Sequence, residues 1–97
     1  DQFPDQRKLF EENPGLIPNA VQECLRYQTP LAHMRRTATA DAEVFGQTIK
    51  QGDNVVLWYL AANRDESVFA NPHKLDITRE NARRHIAFGY GIHRCVG

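Results

Sequence analysis

The last third of the chain, residues 65–97, is what most restricts how this sequence can fold. It shows neither the three-and-four spacing of an amphipathic helix nor the alternation of a strand. Turn-forming residues interrupt it at Asn71-Pro72, Asp76 and Asn81, and three glycines stand in its last nine positions. Irregular segments longer than about 12–15 residues are uncommon in compact domains. The sequence therefore predicts that this segment carries function or packs against a partner.

The composition is that of a soluble globular protein, and the balanced charge gives no reason to expect nucleic acid or a membrane as partner. The 97 residues are 41% hydrophobic and 25% charged, as in soluble globular proteins. The 12 basic and 12 acidic residues cancel, so no global charge favours nucleic acid or an anionic membrane. The longest apolar stretch, residues 55–62, is too short to cross a bilayer. With only two cysteines, reduced thiols in a cytoplasmic protein are expected rather than a disulfide framework.

Two helical patterns precede a region of strands. The first covers residues 4–12, and a second helix is predicted from about Pro18 to Gln28. Its apolar stripe has helical spacing and consists of Ile17, Ala20, Val21, Cys24 and Leu25. We expect this stripe to face a core, with Cys24 as an inert buried thiol. Residues 31–59 favour extended chain, and a short helix is predicted at 60–64.

The second cysteine, Cys95, stands in the run F-G-Y-G-I-H-R-C-V-G that closes the sequence. His93 and Arg94 bring positive charge, which together with the backbone N–H groups of a tight loop can stabilise a thiolate. Gly91 and Gly97 would let the backbone approach something flat and bulky, because they carry no Cβ. Cys95 is therefore the first candidate for chemistry.

Several roles are open to such a cysteine. It can be a buried loop residue without chemistry. For a zinc site, His93 and Cys95 are too few ligands, since no further Cys or His stands at a zinc spacing from them. The missing C-x-x-C-H pattern excludes covalently attached c-type haem. A cysteine nucleophile with His93 as base is disfavoured, because alternate residues of an extended chain point to opposite sides.

The spacing F-x-x-G-x-H-x-C-x-G, from Phe88 to Gly97, resembles the haem-binding loop of cytochromes P-450 in its bacterial form. The resemblance implies that haem b is the cofactor and that Cys95 is its iron ligand, a thiolate that favours O–O cleavage. It also implies that Phe88, Gly91 and Gly97 border the haem.

A second motif, E-x-x-R, is formed by Glu23 and Arg26 on one face of the predicted second helix. By itself the pair is best interpreted as an exposed ion pair of small energetic value. In the resembled family the same motif forms a triad with a later arginine. Arg79 has that place in bacterial members, whereas eukaryotic members have their arginine nearer to Lys74. The resemblance implies a structural role, in which the triad holds the loop that carries Cys95.

A third motif, R-R-T-A, occupies residues 35–38. Without the cysteine loop it would be interpreted as an exposed strand edge. The resemblance implies that Arg36 and His93 bind the two haem propionates, and the planar fork of arginine suits a carboxylate. The resemblance also places three candidate substrate-selecting residues on a strand that borders the substrate pocket: Leu31, Ala32 and His33.

The resemblance covers nearly the whole chain and implies a fold that is mainly α with a small mixed β-sheet. Residues 1–97 are then expected to be a carboxyl-side fragment of one domain, since the chain lacks an initial Met and stops at the cysteine loop. The oxygen-activating helix of the family would precede this sequence, and another helix would follow it. We expect the fragment alone to be inactive.

Within the family the sequence looks most like the bacterial alkane hydroxylases, through residues 29–38, Trp58-Tyr59 and residues 91–97. This implies a monooxygenase that inserts one oxygen atom of O2 into an apolar substrate, with terminal hydroxylation of medium-chain alkanes as the first choice. Ferredoxin and ferredoxin reductase would supply the electrons. The alternatives are a terpene or steroid hydroxylase, a haem-thiolate peroxygenase and, in a different class, a haemless remnant without catalysis.

Overall fold

The first part of the chain is helical. The structure is a computed structural model, and it describes residues 2–96. Helices α1 (Pro4–Glu12) and α2 (Ile17–Gln28) are joined by a 3-10 turn at Pro14–Leu16. Prolines stand in the first turn of both helices, where the missing N–H would have no helical partner in any case. Both helices lie where the sequence predicts them, and α2 begins one residue earlier than expected.

Four short strands follow: β1 (Met34–Thr37), β2 (Ala42–Val44), β3 (Gln47–Ile49) and β4 (Asn54–Leu57). They form two separate antiparallel pairs, β1 with β4 and β2 with β3. The predicted class, mainly α with a small amount of sheet, is confirmed, and among residues 2–96 both strand pairs are antiparallel. Residues 45–46 join β2 to β3 as a tight hairpin connection, which fits antiparallel pairing, and this hairpin lies within the connection between β1 and β4.

The remainder of the chain is almost entirely irregular. Helix α3 (Tyr59–Ala62) follows β4, and the Leu60 N–H donates to the Ala32 carbonyl at 3.1 Å. Between residues 63 and 96 the only regular element is a 3-10 turn at Ala82–Arg84. The prediction of an irregular last third is therefore confirmed. None of the helices within residues 2–96 is long and apolar enough to pass through a membrane.

The interior is small and contains many polar groups. The chain measures 53 × 27 × 22 Å and its radius of gyration is 16.5 Å, whereas a compact domain of this length has about 13 Å. The buried apolar residues are Ala20, Tyr59, Phe69, Ile77, Ala82 and Ala87. The buried polar residues are Glu23, Arg26, Thr29, Asn63, Arg79 and His85. The core of this chain is therefore as much polar as apolar.

Most of the apolar stripe of α2 faces away from this core, and of its five residues only Ala20 is buried. Ile17 and Val21 are 45% and 49% exposed, and Cys24 is exposed as well. The prediction of Cys24 as a buried core residue is wrong, because the polar face of α2 is the one turned inward. The stripe instead lines an open groove with Phe10 of α1. Partial burial against this groove raises the pKa of the Cys24 thiol, and the charge of Glu23 adds to the effect.

Candidate functional site

A buried carboxylate between two guanidinium groups lies at the centre of the structure. Glu23 is fully buried, and Arg26 Nε and Nη2 donate to its two oxygens at 2.8 Å each. Arg79 Nε donates to both oxygens at 3.1 Å. The three residues of the predicted triad therefore lie together. The interpretation of Glu23 and Arg26 as an exposed surface pair is wrong, since both side chains are fully buried.

The other N–H groups of the two arginines hold the irregular segment that follows α3. Arg26 Nη1 and Nη2 and Arg79 Nη1 and Nη2 donate to backbone carbonyls at 2.6–3.3 Å. The accepting carbonyls belong to Asn63, Ala70, Asn71, Pro72 and Lys74. In return, the Asp76 N–H donates to Glu23 Oε1 at 3.0 Å. Side chains thus satisfy backbone groups that have no helix or strand partner.

The third member of the triad is Arg79 rather than a residue near Lys74. Lys74 contributes its backbone carbonyl to both arginines. Just before Arg79, the Asp76 carboxylate accepts the Thr78 hydroxyl at 2.6 Å and the Thr78 N–H at 3.0 Å. The hydrogen bond from the Thr78 hydroxyl is the main cause that lowers the pKa of Asp76, and the charge of Arg79 contributes. This turn stands directly before the arginine that reaches Glu23.

Asn63 connects the buried triad to the cysteine loop, and the sequence pattern did not single it out. Its side chain is fully buried, and its backbone carbonyl accepts from Arg26 Nη1 at 2.8 Å. Its amide nitrogen donates to Thr29 Oγ1 at 3.0 Å, and its amide oxygen accepts the Ile86 N–H at 2.8 Å. The sequence shows only that an asparagine stands near the end of a short predicted helix. This pattern does not predict that the Asn63 side chain is buried. The same holds for His85, which contacts α2 from the far end of the chain.

The cysteine loop is closed by backbone hydrogen bonds. The Cys95 N–H donates to the Phe88 carbonyl at 3.0 Å, and the Arg94 N–H donates to the Gly91 carbonyl at 3.1 Å. Gly91 has a φ of +81°, and a Cβ added there would meet no atom within 4 Å. Cys95 is exposed, whereas Gly97 lies outside the described residues. The structure therefore presents the thiol at the surface of a tight turn, next to a glycine that borders open space.

Arg36 and His93 line the same cavity, which has a volume of about 550 Å³. Leu57, Trp58, Tyr59 and Ile92 also line it. Arg36 is exposed, and its Nη1 donates to the Arg35 carbonyl at 3.0 Å. The fold thus brings two side chains from distant parts of the sequence to one mainly apolar cavity, as their predicted common task requires.

The three candidate substrate-selecting residues lie just before β1 rather than on a strand. Leu31 and His33 are exposed, and Ala32 is half-buried. The His33 ring meets the Trp58 ring edge-on, with 4.8 Å between centroids. Because Trp58 lines the cavity, His33 lies beside it.

Comparison with known proteins assigns these features to a family. The pattern of the cytochrome P-450 family matches residues 14–97. A cytochrome P-450 of the 153 family from Novosphingobium aromaticivorans is 70% identical, with a TM-score of 0.98, over 100% of this chain and 25% of its own. The 20-oxo-5-O-mycaminosyltylactone 23-monooxygenase of Streptomyces fradiae and the linalool 8-monooxygenase of Pseudomonas putida are 52% and 48% identical, each over 99% of this chain and 23% of its own length. The chain belongs to the cytochrome P-450 family.

The chain spans about a quarter of the length of these relatives. Cytochromes P-450 use haem b, and the donor set of this chain fits that group. Within residues 2–96, no three His, Cys, Asp or Glu side chains come together as a metal site. In a haem-thiolate site the macrocycle supplies most of the iron ligands, so Cys95 would be a sufficient contribution from this segment. The cavity offers a largely apolar wall for a flat macrocycle, with Arg36 and His93 for its carboxylates.

We predict that Glu23→Gln strongly destabilises the full-length protein. The substitution keeps the shape of the side chain but leaves two buried guanidinium groups without a counter-charge. Removing one partner from a buried ion pair costs about 3–5 kcal/mol. Urea denaturation followed by circular dichroism measures the loss.

The matched control is Glu11→Gln, another helical glutamate with an arginine nearby, Arg7, at 3.7 Å. The Glu11 side chain is 66% exposed, so its substitution is expected to leave the urea midpoint almost unchanged. Equal midpoints for the two variants would show that the buried triad does not stabilise the fold.

Proposed function

We propose that the full-length protein carrying this sequence is a haem-thiolate monooxygenase with Cys95 as the ligand to iron. One observation carries the proposal. Cys95 is exposed on a closed loop, and the same loop supplies His93 to a cavity that Arg36 also lines. Haem b, when bound, supplies the activation of O2 and the insertion of one oxygen atom into a C–H bond. The similarity to two monooxygenases supports this class of reaction.

Each site residue has a proposed task toward the haem. The Cys95 thiolate gives electron density to the iron. Arg36 offers its planar guanidinium to one propionate, and His93 donates to the other. Phe88 and Gly91 border the haem on the cysteine side. Gly97 is proposed for the same border and lies outside the described residues.

We further propose that a ferredoxin, reduced by its reductase, delivers the electrons. Arg83, Arg84 and Arg94 are exposed near the cysteine loop. Positive charge there would speed the association of an acidic partner. The cytoplasmic location expected from the reduced cysteines stays a prediction.

Terminal hydroxylation of medium-chain alkanes is the substrate proposal. It is supported by the resemblance of the sequence motifs to bacterial alkane hydroxylases, and the 70% identity to a cytochrome P-450 of the 153 family shows a close relative within the same family. Leu31 and Ala32, which directly precede His33 in the sequence, suit an apolar chain. A terpene hydroxylase is the second candidate, favoured by the 48% identity to a linalool 8-monooxygenase.

Cys95→Ser is expected to abolish the thiolate-type Soret band of the carbon-monoxide complex in the full-length protein. A serine hydroxyl stays protonated at neutral pH and cannot supply the charge of a thiolate. The absorption spectrum of the reduced, carbon-monoxide-treated protein measures this.

Cys24→Ser is the matched control, since it removes the other thiol from the open groove of α2. Its spectrum should equal that of the wild type. If the thiolate-type band survives in Cys95→Ser, Cys95 is not the iron ligand. A well-folded wild type that shows no such band when given haem would indicate the haemless remnant.

Arg36→Leu is expected to speed haem loss about 10–100-fold, since a charge-assisted hydrogen bond contributes roughly 1.5–3 kcal/mol. Transfer of haem to an excess of apomyoglobin gives the rate. Arg35→Leu is the control, because neighbouring strand residues point to opposite faces and Arg35 does not line the cavity among the described residues. Equal rates for the two variants would argue against a propionate contact by Arg36.

Medium-chain alkanes are expected to shift the Soret band of the oxidised full-length protein at lower concentrations than linalool or a sterol does. An apolar pocket matched to a linear chain discriminates by about tenfold or more. Spectral titration gives the dissociation constants. Tighter binding of linalool would favour the terpene hydroxylase.

A further inference from the structure

His85 is a buried histidine between α2 and the segment that leads into the cysteine loop. It follows the 3-10 turn at Ala82–Arg84 and is 6% exposed. Its Nε2 atom lies 3.0 Å from Oε1 of Gln22, on α2. Its Nδ1 atom accepts the Ala87 N–H at 3.2 Å. Each ring nitrogen therefore has a partner, one on the helix and one on the loop segment.

These partners determine where the ring carries its hydrogen. A backbone N–H can only donate, so Nδ1 must be unprotonated to accept from Ala87. In the neutral ring, Nε2 then carries the hydrogen and donates to the Gln22 oxygen. Burial lowers the pKa of His85, and the charge of Arg94 lowers it further. The neutral ring with this tautomer is therefore the favoured form.

His85 holds the backbone at Ala87, directly before the residue to which the Cys95 backbone is hydrogen-bonded. The residue after Ala87 is Phe88, whose carbonyl accepts the Cys95 N–H at 3.0 Å. The amide before Ala87, that of Ile86, is held by the buried Asn63 side chain at 2.8 Å. The histidine ring also meets the Phe88 ring edge-on, with 6.0 Å between centroids. Two buried side chains thus fix consecutive amides, and Cys95 hydrogen-bonds to the next residue.

We propose that His85 is a positioning residue for Cys95, acting through the Ala87 amide and the Phe88 carbonyl. This inference rests on the proposed function of Cys95 as the iron ligand. By fixing the Ile86–Ala87 peptide, two peptide units before the Phe88 carbonyl that accepts the Cys95 N–H, the ring restricts the path of the backbone on which the cysteine is held and so the direction of its sulfur. Hydrogen-bonded support behind a metal ligand typically changes metal retention about 10–100-fold.

Three substitutions separate the two hydrogen bonds of the ring. His85→Phe keeps an aromatic ring and removes both nitrogens. His85→Asn offers an oxygen near the position of Nδ1, so it can still accept from Ala87. His85→Gln extends its amide toward Gln22 instead. The control is His73→Phe, because His73 is exposed and its Nδ1 lies 3.1 Å from Nη1 of Arg64, away from the cysteine loop.

The experiment uses the full-length, haem-loaded protein and measures the carbon-monoxide spectrum, haem transfer to apomyoglobin and the melting temperature. In His85→Phe we expect part of the thiolate-type band to be replaced by the band of protonated thiol, and haem loss to be about tenfold faster. His85→Asn should restore the spectrum to near that of the wild type, whereas His85→Gln should not. His73→Phe should behave as the wild type.

The outcomes separate this inference from the function on which it rests. A wild type with a thiolate-type band, together with an unchanged band and haem-loss rate in His85→Phe, overturns the positioning role alone. The spectra of His85→Asn and His85→Gln could also be equal, with the spectral change in each variant parallel to its fall in melting temperature. In that case His85 acts only through general packing, and the positioning role is overturned as well. A wild type without a thiolate-type band overturns the proposed function and this inference together.

Discussion

A single carboxylate held between two arginines, out of contact with water, is the interaction on which the rest of this structure depends. Burying charged groups is costly unless every donor and acceptor finds a partner. Glu23 accepts from Arg26, Arg79 and the Asp76 amide, and the remaining guanidinium N–H groups reach backbone carbonyls. Those carbonyls belong to a segment without helix or strand. In this segment the ion cluster therefore supplies the hydrogen bonds that the backbone of a helix or a sheet makes with itself.

The cluster and the cysteine loop are parts of one connected arrangement. Arg26 bonds to the backbone of Asn63, and the side chain of Asn63 bonds to the segment that enters the loop. His85 makes a second link, from α2 to the same segment. Helix α2 thus supports the loop with its polar face, while its apolar face lines an open groove. This division of faces explains how a chain with a small apolar core can still hold a thiol-bearing loop in a defined shape.

Much of the local structure could be predicted from sequence, because it depends on neighbours along the chain. Proline positions and apolar spacing located α1 and α2, and the turn residues indicated the irregular last third. The error about Cys24 has a different origin. Apolar periodicity identifies a face of a helix, but it does not say whether that face or the polar one meets the core of this chain. The antiparallel pairing of the strands could not be predicted from the sequence for a similar reason, since the tertiary fold sets which strands pair.

The sequence by itself determined the membership of the family and the residues with reactive or charged groups, because these follow from residue type and spacing. It could not distinguish an exposed ion pair from a fully buried one, and the same E-x-x-R letters fit both. Only the tertiary structure decided that Glu23 meets Arg79, that Asn63 reaches the loop, and that Arg36 and His93 share a cavity. Burial and distant hydrogen bonds depend on how remote segments fold against each other, and no local pattern records that.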